Sequence, residues 1–432
     1  MASNQNGIIY KESNFHFLIE KQNSAYKGIF FDYGLRVNSL LKSNSNSQII
    51  EKGYLIIKKN VFYFSVGRFN QNISNESKLL STGSLSISNN ALPLPMIDIG
   101  INEFTPVIFR QFNFQFKGGL SHGWFNKNQY LKAPYLHQKN LYLKKKIKPN
   151  QSLTLGIIHM AMWGGETQIH LIQPQKISDY LRIFFLQPAS DKGLKQERIN
   201  TLGNHLGIWD LAYERDKNQK KLKLYYQHPF EDESGARWLS NGFDGLYGIE
   251  ILSNEKKLIS QLLYEYLNTM NQSGPEGASD STYGWDNYYN HYIYQSGWTY
   301  NNRVIGNPLF TLGYNKGSYS DGTYIINNRI KAHHIGILGS LSKKIKYKIF
   351  ITYSKNFGIF PDKAKFKQAN KIYRFNNGLI QHSTLLQLEF NNLINDFNVQ
   401  VSYGIDRGEL LVPTKALLFS INYNYSMVYS SK

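Results

Sequence analysis

The chain has 432 residues and no cysteine, which excludes thiol nucleophiles, disulfide frameworks and thiolate metal sites together. With 49 Lys and Arg against 30 Asp and Glu, the formal net charge is +19, so the candidate partners are anionic: lipid phosphates, acidic polysaccharide or nucleic acid. Aromatics make up 15% and charged residues only 18%, and no window approaches the ~18 apolar residues of a membrane helix, a balance that fits a barrel with a polar inside and a greasy outside.

Met1 to Gly7 has neither the basic region nor the apolar stretch of an export signal. An exported barrel that begins this way reads as a mature form whose signal has been removed. Two-residue alternation then takes over at 14–20, 27–40, 49–58 and 60–69. Phe112, Phe114 and Phe116 share one face, with Gln111, Asn113 and Gln115 on the other. The pattern recurs at 118–125, 136–146, 151–162, 205–215, 220–227, 245–252, 258–267, 308–316, 331–340 and 380–390. It is cleanest where Ile345 to Tyr353, Phe397 to Ile405 and Leu417 to Tyr425 alternate with polar residues. The sum is about 18 strands, many near the ~10 residues a tilted strand needs to cross hydrocarbon.

Four connections are too long for turns: 70–105, 163–204, 228–244 and 268–305. All follow even-numbered strands, so they share one rim. A periplasmic N-terminus puts that rim on the periplasmic side, and one miscounted strand before residue 70 reverses it. The second connection holds a helix with an apolar face, capped by Ser178, favoured by Asp179 at its N-terminus and ended by Pro188. It is expected to fold into or over the mouth. No repeat or linker divides the chain, so the expectation is one domain over residues 1–432. The fold class is all-β: a closed antiparallel transmembrane barrel, with long loops and a short helix partly plugging the lumen.

Nucleic acid drops out, because no helix-turn-helix, finger or RNA-binding signature is present. His122, His137, His159 and His170 lack metal-ligand spacing, and adjacent His333 and His334 point to opposite faces of a strand, so no metal and no cofactor is expected. Glu231, Asp232 and Glu233 read as a solvated tip, and no nucleophile motif is present, so the chain does not read as an enzyme. The stretch 284–310 alternates rings with amides and carries Asp286, His291 and Arg303. It suits either a sugar, whose C–H face stacks on a ring, or a Tyr-rich loop packed on itself.

Five segments decide between those readings. Thr82 to Pro95, Lys117 to Gly123, Leu136 to Tyr142, His159 to Gly165 and Ser296 to Leu309, in this order, resemble the Wzi capsule-assembly family. The resemblance implies an outer-membrane barrel of about 18 strands that binds capsular or extracellular polysaccharide at the surface of a Gram-negative cell, with outer-membrane lipid around it. Nothing before residue 14 reads as the helical bundle of enterobacterial members. Seen this way, Trp163, Trp285, Trp298 and Tyr300 offer ring faces, and Asp286, Arg303 and Asn89 offer polar partners for carbohydrate. The competing function is a channel for small anionic solutes or oligosaccharides through a basic lumen.

Overall fold

The structure, a computed structural model, describes residues 14–26, 28–42, 45–106, 113–167, 171–190, 193–231, 242–253, 258–272, 286–315, 322–359, 374–394 and 397–423. Its elements in chain order are β1 (Asn14–Tyr26), β2 (Ile29–Lys42), β3 (Ser45–Lys59), β4 (Phe62–Arg68), β5 (Pro95–Pro106), β6 (Phe114–Trp124), β7 (Tyr135–Lys148) and β8 (Gln151–Trp163). There follow β9 (Glu166–Thr167), β10 (Leu171–Ile172), α1 (Ile177–Phe184), α2 (Lys195–Ile199), β11 (Asn204–Lys217), β12 (Lys220–Phe230), β13 (Gly245–Ser253) and β14 (Gln261–Asn268). The chain continues with β15 (Thr299–Tyr300), β16 (Arg303–Val304), β17 (Thr311–Asn315), β18 (Gly322–Asn327), β19 (Ile330–Ser340), β20 (Ile345–Gly358), β21 (Arg374–Ile394), β22 (Phe397–Gly408) and β23 (Thr414–Tyr423).

Seventeen strands form one antiparallel sheet, each paired with its predecessor in the sheet: β1 to β8, then β11 to β14, then β19 to β23. The three short hairpins β9–β10, β15–β16 and β17–β18 lie outside it. Among the described residues no pairing joins β1 to β23.

Three differences from the alternation pattern explain the count. The runs at 112–116 and 118–125 belong to one strand, β6, and the run at 308–316 leaves the sheet as β17. In the opposite direction, β5 occupies 95–106, inside a stretch that reads as connection. Pro95 is its first residue, a position where the missing N–H is tolerated, so the Pro93-Leu94-Pro95 run hides a strand start. The missed strand and the merged one cancel before residue 136, and the long connections still follow even-numbered wall strands. Tight turns at 60–61, 149–150 and 218–219 occupy the opposite rim.

Alternation gives the sheet two unlike faces. Exposed Leu141, Leu143, Leu153, Leu155, Ile249, Ile251, Ile335 and Ile351 stud the outer one. On that face Tyr226, Tyr247, Tyr266, His333, Tyr353 and His382 stand side by side in register across β12, β13, β14, β19, β20 and β21. Successive rings are 4.5 to 6.4 Å apart. His334, the next residue along, points inward to the Leu80 carbonyl at 2.8 Å, as adjacent strand residues must.

The inner face mixes polar and apolar side chains and is filled by chain. Residues 69–94, between β4 and β5, cross the concave side, and the wall holds them from many strands. Gln138 of β7 donates to Gln71 Oε1 at 3.2 Å, and the Asn75 N–H donates to Asp210 of β11 at 2.8 Å. The Ser77 hydroxyl donates to Glu250 of β13, the Thr82 N–H to Glu265 of β14 at 2.7 Å, and the Leu85 N–H to Gln227 of β12 at 2.9 Å. A loop inside a wall must satisfy its backbone groups, and these inward acids and amides do so. Around the plug, Leu80, Leu85, Tyr142, Ile158, Met160, Leu246 and Leu263 form the main apolar core.

The helix is a correction. Its N-cap is Lys176, not Ser178, and the Asp179 carboxylate accepts the Lys176 N–H at 2.8 Å. Nor does α1 plug the interior. It lies on the outer face of β7 and β8, where Tyr180 and Phe184 pack on His137 with ring centroids 5.4 and 5.5 Å away. His137 and Leu141 share the outward parity of β7, opposite to Gln138 and Tyr142.

Candidate functional site

Residues 286–312 sit on the plug at the rim that carries the long connections. The Tyr289 hydroxyl donates to the Leu85 carbonyl, the Ser88 N–H to Ile305 O at 2.9 Å, and the Asn90 amide to Val304 O at 3.0 Å. The Asn307 amide reaches the Thr82 hydroxyl at 3.2 Å. Gly297 makes the sharp turn between them, with φ of +63° and the Tyr289 carbonyl where a Cβ would lie.

Between this layer and the wall is a cleft of about 210 Å³. One side is Arg303, Val304 and Pro308 to Leu312, with Asn90 and Asn302; the other is Thr352 and Ser354 of β20, Gln381 and Ser383 of β21, and Leu410 and Leu411 of the β22–β23 turn. Its polar groups are held in place from behind. His334 pairs with the Thr352 hydroxyl at 2.8 Å, Asn356 donates to Ser354 Oγ at 2.9 Å, and the Leu411 N–H donates to Gln381 Oε1 at 3.1 Å. A hydroxyl has one donor and two acceptor sites, and an amide has four in all, so each keeps capacity for a ligand. Among the described residues the lining has one cation, no carboxylate and an apolar floor. Hydroxyls, amides and a guanidinium beside apolar side chains are groups suited to orienting the hydroxyls of a polyol.

The sequence-derived residues divide. Arg303 lines the cleft, and Asn90 lines it in place of its neighbour Asn89, whose amide is turned to the Gln71 carbonyl at 3.0 Å. Trp298 is 0% exposed, inside the core, and Tyr300 is buried against Phe125 at 5.9 Å, so neither offers a ring face. Asp286 is buried, its N–H on the Gln272 carbonyl at 2.9 Å. Trp163 is on the outer face of β8, packed with Tyr135 at 4.9 Å and on the opposite side of the wall from the cleft. Trp285, His170, Asp232 and Glu233 lie outside the described residues. Thr352, Ser354, Gln381, Ser383, Leu410 and Leu411 were missed. The four on strands look like ordinary inward polar positions, and only tertiary register brings them to Arg303.

Asp244, beside the cleft layer at the same rim, ties two connections together. Its carboxylate accepts the Asn271 N–H at 3.0 Å and the Gln272 N–H at 2.8 Å. Burial raises it to about 7, and those donors only partly offset the rise. The folded state therefore keeps a proton that the unfolded chain releases near its ordinary value of about 4. Stability from this group is full below that value and is lost as pH rises through about 7. Protection of the Asn271 and Gln272 amides, corrected for intrinsic exchange, is expected to fall between about pH 4 and pH 7. In Asp244→Asn that slope is expected to vanish.

The family profile described as capsule assembly protein Wzi matches residues 1–313. Among curated proteins none matches. Of solved structures, the chain is similar to Escherichia coli Wzi, described as an outer-membrane, carbohydrate-binding β-barrel involved in group 1 capsule assembly. The identity is 14%, the TM-score 0.58, and the match covers 93% of this chain and 76% of that one. Acinetobacter baumannii OccAB2 matches at 10% identity and TM-score 0.46, covering 95% and 91% of the two chains. Pseudomonas aeruginosa OccK10 matches at 9% and 0.44, covering 96% and 93%.

Proposed function

This chain belongs to the capsule assembly protein Wzi family, and we propose that it is a non-enzymatic outer-membrane lectin that holds exported polysaccharide at the cell surface. The cleft at Arg303 carries this reading: hydroxyls, amides and one guanidinium over an apolar floor, at the rim where the chain's long connections gather. Long loops face outward and short turns face the periplasm in barrels of this kind. The cleft therefore opens to the outside, the reverse of what counting from a periplasmic N-terminus gives.

The row from Tyr226 to His382 supports the membrane setting, because amphipathic rings collect where hydrocarbon meets headgroups. An odd meander brings its two end strands to the seam running parallel. An antiparallel seam takes one more strand, which gives a closed barrel of about 18.

Two variants test the reading side by side. Arg303→Ala is expected to keep the heat-modifiable barrel and to lose binding of native capsular polysaccharide by roughly five- to a hundredfold, about 1–3 kcal/mol. Trp298→Ala is expected to destabilise the protein by about 3–5 kcal/mol, as a large core ring does. Full binding by a folded Arg303→Ala would overturn the assignment of the cleft.

A further inference from the structure

The outer face at the long-connection ends of β7, β8 and β11 is unlike the rest of the wall. Here, at neighbouring positions on three adjacent strands, the outward residues are His137, Lys139, His159 and His205, where the outer face elsewhere is mostly Leu, Ile and Tyr with His333 and His382 set singly among tyrosines. His159 Nε2 and His205 Nδ1 are 2.9 Å apart, and His205 Nε2 lies 2.7 Å from the Leu202 carbonyl. Among the described residues no hydrogen-bond partner is present for either His137 ring nitrogen. Bare, such a patch is costly against hydrocarbon. It is not bare: His137 is 0% exposed, because the segment after β8 folds back over it. Ile183, Ala189 and Leu202 pack on Ala161 and Trp163 as a second apolar cluster, separate from the core inside the wall.

The covering segment has an outward side of its own. Ile177 and Leu181 of α1 and its C-cap residue Phe185 lie at four-residue spacing, opposite buried Asp179 and Ile183, and are 78%, 50% and 63% exposed. Leu186, Ile172 and Ile199 are exposed nearby. Lys139 marks the lower edge, donating its ammonium to the Phe184 carbonyl at the C-terminal end of α1, where the helix dipole favours a cation. Two residues further along the same face is exposed Leu141, about 7 Å away at strand spacing. The apolar edge of the helix and the apolar band of the wall are thus continuous.

We propose that α1 is a lipid-embedded helix: it replaces the polar outer face of β7, β8 and β11 with an apolar one and meets acyl chains of the surrounding leaflet through Ile177, Leu181 and Phe185. The inference rests on the outer-membrane reading above. It is independent of the cleft, because the helix and the cleft lie on opposite faces of the wall.

The absence of native cysteine makes the test clean, since any introduced thiol is the unique labelling site. Nitroxides at Leu181→Cys and Phe185→Cys, in the full-length protein in liposomes, are compared with Leu143→Cys on the wall and Asn128→Cys on the β6–β7 connection. Collision with oxygen reports hydrocarbon, and collision with a water-soluble nickel chelate reports water. Positions 181 and 185 are expected to match 143, with oxygen collisions several-fold above nickel. If they match 128, or are shielded from both reagents as a protein-covered surface is, the proposal is overturned. If 143 itself is aqueous, the membrane reading has failed, and the two failures are thereby told apart.

Discussion

Excising residues 71–92 and closing the gap with a short Gly-Ser turn is expected to turn a silent protein into a conducting one in planar bilayers. The intact chain carries its plug across the concave side, tied to β7, β11, β12, β13, β14 and β19. None of these bonds belongs to the strand ladder, so the wall's own pairing survives the excision. The carboxylates that face the plug, Asp210, Glu250 and Glu265, are then hydrated by the water that replaces it, which lowers the cost of their lost donors. Steady single-channel steps are expected only from the excised form, with heat-modifiability confirming that both forms are folded. Equal conductance from the intact protein would favour the channel over the lectin, since a pore needs an open water path.

The wall was legible because many strands alternate an apolar outward residue with an inward polar one, and that contrast repeats every second residue. Tyr347, Ile349 and Ile351 against Lys346, Lys348 and Thr352 could be read without any partner strand. Strand β5 was harder: two prolines precede Met96, and its register with β6 shifts between Ile101 and Thr105, which cuts the Ile97, Ile99, Ile101 alternation short. The plug's anchors left a faint trace. Asp98, Asp210, Glu250 and Glu265 are buried acids at inward positions of four strands. An acid there needs donors from something inside.

What chain order cannot supply is adjacency. The cleft joins Asn90, Arg303, Gln381 and Leu411, which meet only once the sheet is wrapped. The placement of α1 outside rather than inside turned on parity: Phe184 packs on His137, an odd-numbered residue of β7, when Gln138 faces the plug. Trp298 misled for a related reason. A Gly-Trp pair reads the same whether the glycine lets a ligand approach the ring or lets the Tyr289 carbonyl pack against the turn, and here it is the carbonyl.

Glu265→Ala is expected to loosen the plug and, through it, the cleft. The carboxylate is buried and accepts the Ser81 hydroxyl at 2.6 Å, the Thr82 N–H at 2.7 Å, the Thr82 hydroxyl at 2.9 Å and the Tyr225 hydroxyl. Alanine leaves four buried donors without that acceptor. Each stranded donor costs about 1–3 kcal/mol, but three are hydroxyls that can turn to other partners, so the net loss is expected near 3–5 kcal/mol. The loss falls on residues 69–94 rather than on the ladder, so trypsin is expected to cut at exposed Lys78 many times faster while the barrel stays heat-modifiable. From Thr82 the effect travels further. Thr82 is bonded to the Asn307 amide, and Asn307 Oδ1 in turn accepts the Leu309 N–H at 3.0 Å, which sets the strip of chain lining the cleft. Polysaccharide binding is therefore expected to weaken although Glu265 does not line the cleft, and Glu265→Gln, which keeps one carbonyl acceptor, is expected to fall between. Wild-type resistance at Lys78 in a folded Glu265→Ala would show that the plug is held by its other anchors alone.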